Sequence, residues 1–278
     1  LFSPEKKLAT SSREQFQGSP LIRTTYPSSL EDILSAKKRK FDYCVLTRYV
    51  TVRTRFRLRW FTPTMEINLC GHATLASAAV LFQYKNNVNP AVVFETRSGD
   101  LGVSKRKEGY IMDFPLNPPT KEPHKKRCID NSAAVGNHPV QEVLLSHDTK
   151  KLMIRLSDSC ERSALTSLKV DPVALLNGDS SGRVRGVIVT MKGEQNCKPG
   201  FDFYSRYFAP WAGIPEDPVT GSAHTVLGSY WSDVLGKKKM LAYQCSSRGG
   251  ELDLEVRDDG RINIAGDVAT VLQGFIRL

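Results

Sequence analysis

Apolar and polar residues alternate with a period of two through much of this 278-residue chain. Residues 52–61 show the pattern most clearly, because four arginines alternate there with mostly apolar side chains. Such alternation is typical of a β-strand with one face in the core and one in water. The same reasoning predicts strands at 43–51, 52–61, 91–96, 100–105, 109–114, 140–146, 151–156, 184–191, 202–208 and 240–245, and a hairpin of 252–256 with 261–264.

Two longer stretches, at 72–84 and 222–235, are small or apolar without alternation and predict buried helices. Gly236 follows the second stretch directly and is expected to end that helix. Shorter helices are predicted at 30–40, 161–167 and 172–177.

Strands, one buried helix and further strands follow each other twice along the chain, which indicates an internal duplication. We therefore expect an α+β protein with an N-terminal lobe at 1–118 and a C-terminal lobe at 119–278. The proline-rich stretch 115–130 is expected to connect the lobes. Because most strand connections have hairpin length, the pattern favours antiparallel sheets over parallel βαβ winding.

Composition narrows the class of protein. Hydrophobic content of 40% with 24% charged residues is typical of a soluble globular chain. The net charge of +10 lies mostly in residues 1–60, which hold 13 Lys and Arg against 5 Asp and Glu, whereas the remaining residues hold 26 against 24. A nucleic-acid surface needs a basic face on the folded body. The remaining residues are nearly neutral, so binding to nucleic acid is the least favoured of three functional hypotheses.

Other partners and cofactors are also disfavoured. No apolar run approaches the roughly 18 residues that cross a membrane, and no secretory signal begins the chain. The six cysteines and five histidines show neither C-x-x-C nor H-x-x-x-H spacing, so neither a metal nor another cofactor is predicted. Scattered thiols and the missing signal together predict a cytoplasmic protein.

The two buried helices begin in the same way. Residues 70–74 read Cys-Gly-His-Ala-Thr, and residues 220–224 read Thr-Gly-Ser-Ala-His. A glycine turn at a helix start leaves backbone N–H groups free at the positive end of the helix dipole. If both starts face one cleft, Gly71, Gly221 and Ser222 can bind a small anion from two sides.

Side chains next to these glycines are the candidates for chemistry. His72 and Asp217 are the candidate catalytic residues, although either one alone could equally cap a helix or bond locally. Cys70 lacks a third residue that would orient it as a nucleophile and is expected to be unreactive. His224, one turn into its helix, is expected to pack in the core.

Two segments resemble the signatures of the phenazine biosynthesis-like (PhzF) family, in particular of its animal members. These are 66–74, Glu-Ile-Asn-Leu-Cys-Gly-His-Ala-Thr, and 208–224, which begins Phe-Ala-Pro-Trp and ends Glu-Asp-Pro-Val-Thr-Gly-Ser-Ala-His. The similarity extends from about residue 58 to the C-terminus. It implies a diaminopimelate epimerase-like fold of two pseudo-duplicated lobes, each a curled, mostly antiparallel sheet around a central helix. It also implies a homodimer, a biosynthetic role and cofactor-free proton transfer on a small carboxylate.

Carried over residue by residue, the resemblance places Gly71 and His72 in the site of the first lobe. It places Asp217, Gly221 and Ser222 in the site of the second. The related epimerases have a cysteine before both helix-start glycines, whereas this chain has Cys70 and Thr220, which disfavours a racemase with two thiols.

The resemblance is faint over residues 1–52, and residues 1–57 are atypical of the family. The family's general base is a glutamate, and ungapped counting from Pro20 puts Leu46 in its place. Leucine cannot accept a proton. Either the base has been lost, or these first residues are not the native N-terminus of the protein.

The leading hypothesis is therefore an isomerase of this family, impaired by the missing glutamate. The alternative is an inactive member that binds a ligand or a protein partner. The identity of the substrate cannot be derived from the sequence, because helix starts recognise any small carboxylate.

Overall fold

The computed structural model describes the backbone of two strands at 21–23 and 43–47, and residues 53–62, 65–84, 86–121, 132–194 and 200–270. The predicted helix at 30–40 and the end of the predicted strand 43–51 lie outside the described residues.

Strands dominate the described chain. The first half contains β1 (Leu21–Arg23), β2 (Tyr43–Thr47), β3 (Arg55–Phe61), β4 (Glu66–Ile67), α1 (Gly71–Ala79) with a π-helical continuation (Val80–Tyr84), β5 (Ala91–Thr96), β6 (Gly99–Lys105), β7 (Tyr110–Pro115) and β8 (Thr120–Lys121). The second half contains α2 (Ser132–Val135), β9 (Val140–Ser146), β10 (Lys151–Leu156), α3 (Arg162–Thr166), α4 (Pro172–Gly178), β11 (Gly186–Lys192), β12 (Phe203–Phe208), a 3-10 turn (Pro210–Ala212), α5 (Gly221–Leu235), β13 (Lys239–Gln244), β14 (Gly250–Val256) and β15 (Arg261–Gly266).

The described strands form one continuous sheet in the order β1-β2-β3-β5-β6-β7-β15-β14-β13-β12-β11-β10-β9-β8, with β4 added beside β3. Most neighbouring pairs are antiparallel, as predicted. The last strand, β15, pairs with β7 over six residues and so joins the two halves of the chain. The exact lobe boundary after residue 118 stays a prediction.

The expectation against parallel βαβ winding is wrong at the centre of each half. β3 and β5 are parallel and are connected through α1, and β12 and β13 are parallel and are connected through α5. The cause is the buried helix itself, because a helix that crosses a sheet face returns the chain in the original direction. Each half therefore contains such a βαβ unit among antiparallel strands. The second half contains another, because β10 and β11 are also parallel and are connected through α3 and α4.

Helices α1 and α5 lie in one apolar core that draws on both halves of the chain. Leu81, in the π-helical continuation of α1, shares this core with Trp231 of α5 and Leu254 of β14. A second core lies on the other face of β10–β12, under α2, α3 and α4. These three strands are consequently buried on both faces, whereas β3 alternates between buried and exposed residues as predicted.

The ends of the two central helices differ. Gly236 ends α5 with a left-handed φ of 65°, which confirms its predicted role. The first helix was predicted to continue regularly to residue 84, but its α-helical part ends at Ala79 and the last turn is π-helical.

Candidate active site

The starts of α1 and α5 contact each other through their backbones. A Cβ atom added to Gly71 would lie 2.7 Å from the Cα of Gly221, and one added to Gly221 would lie 2.9 Å from the Cα of Gly71. Real Cβ atoms do not approach backbone carbon so closely. Glycine is needed at both positions because of this steric contact.

Both helix starts present unused backbone donors. Their N-cap residues, Cys70 and Thr220, are extended, and neither side chain caps its helix. The N–H groups of Gly71, Gly221 and Ser222 have no acceptor within the described part of the chain. Two positive helix ends therefore meet with free donors, an arrangement that suits a small anion.

These helix starts open into a cleft of about 660 Å³, a size that suits a small molecule. The five site residues predicted from the sequence all line this cleft: Gly71, His72, Asp217, Gly221 and Ser222. Both halves of the chain contribute to its walls, since residues 65–72 and several residues between 207 and 222 line the same space. The structure thus brings the predicted residues together, while their catalytic roles stay predictions.

Asp217 is buried in a loop that is tied to strand β13. The side chain of Gln244 accepts a hydrogen bond from the N–H of Thr220 at 2.8 Å and donates one to the carbonyl of Asp217 at 2.6 Å. The Asp217 carboxylate itself accepts a 2.5 Å hydrogen bond from the Thr220 hydroxyl. Because Gln244 is fully buried and makes both bonds, it fixes Asp217 and the start of α5 in place. The sequence offered no local signal for this residue, which lies 27 positions from Asp217.

A second contact holds the same loop from its other side. Arg206 on β12 binds Glu216 through two hydrogen bonds of 2.7 and 2.9 Å. Its remaining guanidinium nitrogen donates to the carbonyls of Leu165 and Leu168. A planar guanidinium is suited to such a fixed, two-point contact. Asp217, the next residue, is consequently anchored on both sides.

Two buried titratable residues on the cleft wall were not singled out from the sequence. Lys151 begins β10 with 7% of its surface exposed, and burial lowers the pKa of its ammonium to about 8 despite the opposing charge of Asp217. Burial raises the pKa of the Tyr207 hydroxyl, and Asp217 adds to that shift. The only signal for Lys151 was a cation at the start of a mostly apolar strand.

The histidines occupy different environments. His72 lies in the cleft wall, where its Nε2 is 3.6 Å from the Cys70 sulfur. His224 is fully buried outside the cleft lining, contacts the Thr220 carbonyl through Nδ1 at 2.8 Å and stacks on Phe203. Burial lowers the pKa of His224 to about 4. The prediction that His224 packs in the core is confirmed.

Glu66 also lines the cleft but is already engaged. Its two carboxylate oxygens accept hydrogen bonds of 2.7 and 2.8 Å from Arg59, and Arg97 lies 2.7 Å away. The bond from Arg59 holds the pKa of this carboxyl below its usual range. Glu66 is therefore poorly suited to accept a proton from a substrate. The backbone of Leu46 pairs with Leu58, and the replacement of a glutamate by Leu46 stays a prediction.

The described residues show neither a membrane-spanning helix nor a metal-binding cluster. No helix in the described ranges is both long and apolar enough to cross a membrane. No three His, Cys, Asp or Glu side chains of those same residues form a group that could hold a metal ion.

Comparisons with known proteins agree with this geometry. Residues 41–274 match the sequence profile of the phenazine biosynthesis-like protein family. A phenazine biosynthesis-like domain-containing protein from Bos taurus is 47% identical over 94% of each chain. An uncharacterized isomerase from Pseudomonas aeruginosa is 42% identical over 80% of this chain and 78% of its own.

Solved structures agree as well. A PhzC/PhzF protein from Clostridium difficile superposes with a TM-score of 0.75 at 31% identity, covering 93% of each chain. A predicted epimerase from Pseudomonas aeruginosa superposes with a TM-score of 0.58 at 20% identity over 88% of this chain and 89% of its own, which shows the fold alone.

The curled sheet, the two central helices and their paired starts define the diaminopimelate epimerase-like class of isomerase folds. Within that class, the chain belongs to the phenazine biosynthesis-like family. Both the fold class and the family predicted from the sequence are confirmed.

Proposed function

We propose that this protein is an isomerase that moves a proton within a small carboxylate-bearing substrate without a cofactor. The observation that carries the proposal is the backbone contact between Gly71 and Gly221, which puts two helix N-termini in one cleft with His72 and Asp217. Family membership and an isomerase among the relatives support the same reaction type.

The chemistry follows from the donors and acids of the cleft. Removal of a proton from the carbon next to the double bond of an unsaturated acid adds negative charge, which is delocalised onto the substrate carboxylate. The N–H groups of Gly71, Gly221 and Ser222 are placed to stabilise that charge, as in other preorganised anion sites. Of His72 and Asp217, one accepts the proton and the other returns a proton at a different carbon.

Deuterium exchange tests this proposal. In D₂O, the protein should incorporate deuterium at the carbon next to the double bond of a small unsaturated acid, as measured by NMR or mass spectrometry. Asp217→Asn keeps the shape of the side chain but removes its proton acceptor, and we expect a loss of about 10²–10⁴-fold in the exchange rate. Asp233→Asn is the matched control, because Asp233 is exposed on α5 outside the cleft.

The alternative is an inactive member of the family that binds a ligand or a protein partner. It is favoured by ungapped counting from Pro20, which puts Leu46 at the position of the family's glutamate. Acid binding without deuterium incorporation would establish this alternative and refute the isomerase. A homodimer and a biosynthetic role are further proposals that rest on the family resemblance. A cytoplasmic location is a further proposal that rests on the scattered cysteines.

A further inference from the structure

Lys151 presents a buried positive charge to the cleft. It is the first residue of β10, lines the cleft and is only 7% exposed. Within the ranges that the structure describes, its ammonium makes no hydrogen bond or ion pair. Removing an ammonium from water is costly unless another charge or several acceptors replace the water. A group that binds in the cleft would supply that replacement.

The surroundings of Lys151 leave room for such a group. The ring centre of Tyr207 is 5.8 Å from the ammonium, and the carboxylate of Asp217 attracts it without lying within 4 Å. The cleft is also lined by the titratable residues Asp148, Lys150 and Arg185 from the second half of the chain and by Glu66, His72 and Arg97 from the first half. Because Glu66 is bound by two arginines, it is not available to Lys151.

The protonation state decides between two uses of this amine. With a pKa of about 8, Lys151 is protonated in roughly ten molecules for each neutral one at pH 7. A neutral amine would be needed for a general base, whereas the prevailing ammonium is suited to binding an anion.

We propose that Lys151 binds a second anionic group of the substrate, so that the site takes a small unsaturated dicarboxylate. One carboxylate lies at the helix starts of Gly71 and Gly221, and the other at Lys151. A carboxylate carries the single charge that one ammonium neutralises, whereas a phosphate carries nearly two. This inference rests on the proposed function for the position of the first carboxylate.

Matched pairs of acids test the proposal by binding alone. In each pair a terminal methyl group of the monoacid is replaced by a carboxylate: crotonate and fumarate, trans-2-pentenoate and glutaconate, sorbate and trans,trans-muconate. We expect calorimetry at pH 6.5 to show one diacid binding roughly 10- to 100-fold more tightly than its monoacid, the gain expected from a hydrogen bond to a charged group.

Two variants assign that preference to Lys151. Lys151→Met keeps the length of the side chain without its charge, and it should abolish the preference for the diacid while leaving the affinity for the monoacid unchanged. Lys150→Met is the matched control, since Lys150 is exposed and donates to the carbonyl of Gly182. The preference should also decline above pH 8 in the unmodified protein, because free Lys151 then loses its proton. Thermal unfolding checks that Lys151→Met is folded, and its midpoint should not fall.

Three outcomes would overturn the inference. The first is a folded Lys151→Met protein that still prefers the diacid. The second is an unmodified protein that binds the monoacid and the diacid of every pair equally. The third is a Lys151→Met protein whose only defect is the loss of deuterium exchange into the monoacid, as expected if Lys151 were a base. Failure of the proposed function is a separate result. Preferential diacid binding without deuterium exchange would refute the isomerase but retain the dicarboxylate site, whereas exchange without preference would refute the dicarboxylate site alone.

Discussion

Replacing Gly221 by alanine should damage the cleft more than it damages the fold. The new Cβ would lie 2.9 Å from the Cα of Gly71, a backbone atom that no side-chain rotation can move. Since carbon atoms in contact lie about 3.5–4.0 Å apart, the two helix starts must separate by about 0.6–1 Å. Overpacking of this kind costs about 1–3 kcal/mol of unfolding free energy. A shift of about 1 Å at a reacting centre can cost about 100-fold in rate.

Gly228→Ala is the control for this prediction, because Gly228 lies in the same helix but faces the end of the Ile262 side chain. Urea unfolding should show a change of no more than about 1–3 kcal/mol for either variant. Carboxylate affinity and deuterium exchange should fall about 100-fold for Gly221→Ala and remain near normal for Gly228→Ala. A folded Gly221→Ala protein that binds and exchanges normally would show that the backbone contact does not form the anion site.

Two further predictions concern the supports of the site. Because burial lowers the pKa of His224 to about 4, while it is near 6.5 in the unfolded chain, its contribution to stability is complete above pH 6.5 and is lost as the pH falls towards 4. The free energy of unfolding, measured with urea, should fall by up to about 3 kcal/mol between pH 6.5 and pH 4. His224→Asn should abolish this pH dependence, and a variant with an unchanged pH dependence would contradict the assignment to His224. Gln244→Leu leaves the N–H of Thr220 and the carbonyl of Asp217 unpaired, so urea unfolding should show a fall of about 2–4 kcal/mol in the free energy of unfolding. The exposed control Gln141→Leu should change it by about 0.5 kcal/mol or less. Equal losses in the two glutamine variants would contradict the proposed anchor.

Much of the fold could be predicted because its local signals are strong. Alternation placed β3, β5 and β7 within a few residues of their observed bounds. Alternation does not reveal how strands are paired across the sheet. For that reason the parallel pairs around α1 and α5 were missed, although both helices were correctly located.

The site was only partly predictable for a related reason. Gly71 and Gly221 stand out because each begins an apolar helix, so their roles could be read from neighbouring residues. The contact between them, the hydrogen bonds of Gln244 and the burial of Lys151 all depend on residues distant in the chain. Such contacts leave no local pattern in the sequence. Lys151 looks there like any lysine at the end of a strand.

Under the proposed function, the duplication accounts for a cleft that holds an anion symmetrically yet acts on it asymmetrically. Both halves supply the same element, a glycine-led helix start with free N–H groups, and backbone donors do not depend on the neighbouring side chains. The residues that precede the glycines have diverged. The Thr220 hydroxyl is hydrogen-bonded to Asp217 and Gln244. The Cys70 sulfur instead contacts the ring of His72, and it has no other hydrogen-bonding contact within the described residues. Two equal acids would favour racemisation through a symmetric pair. A carboxylate on one side and an imidazole on the other instead favour moving a proton between different carbons of one substrate.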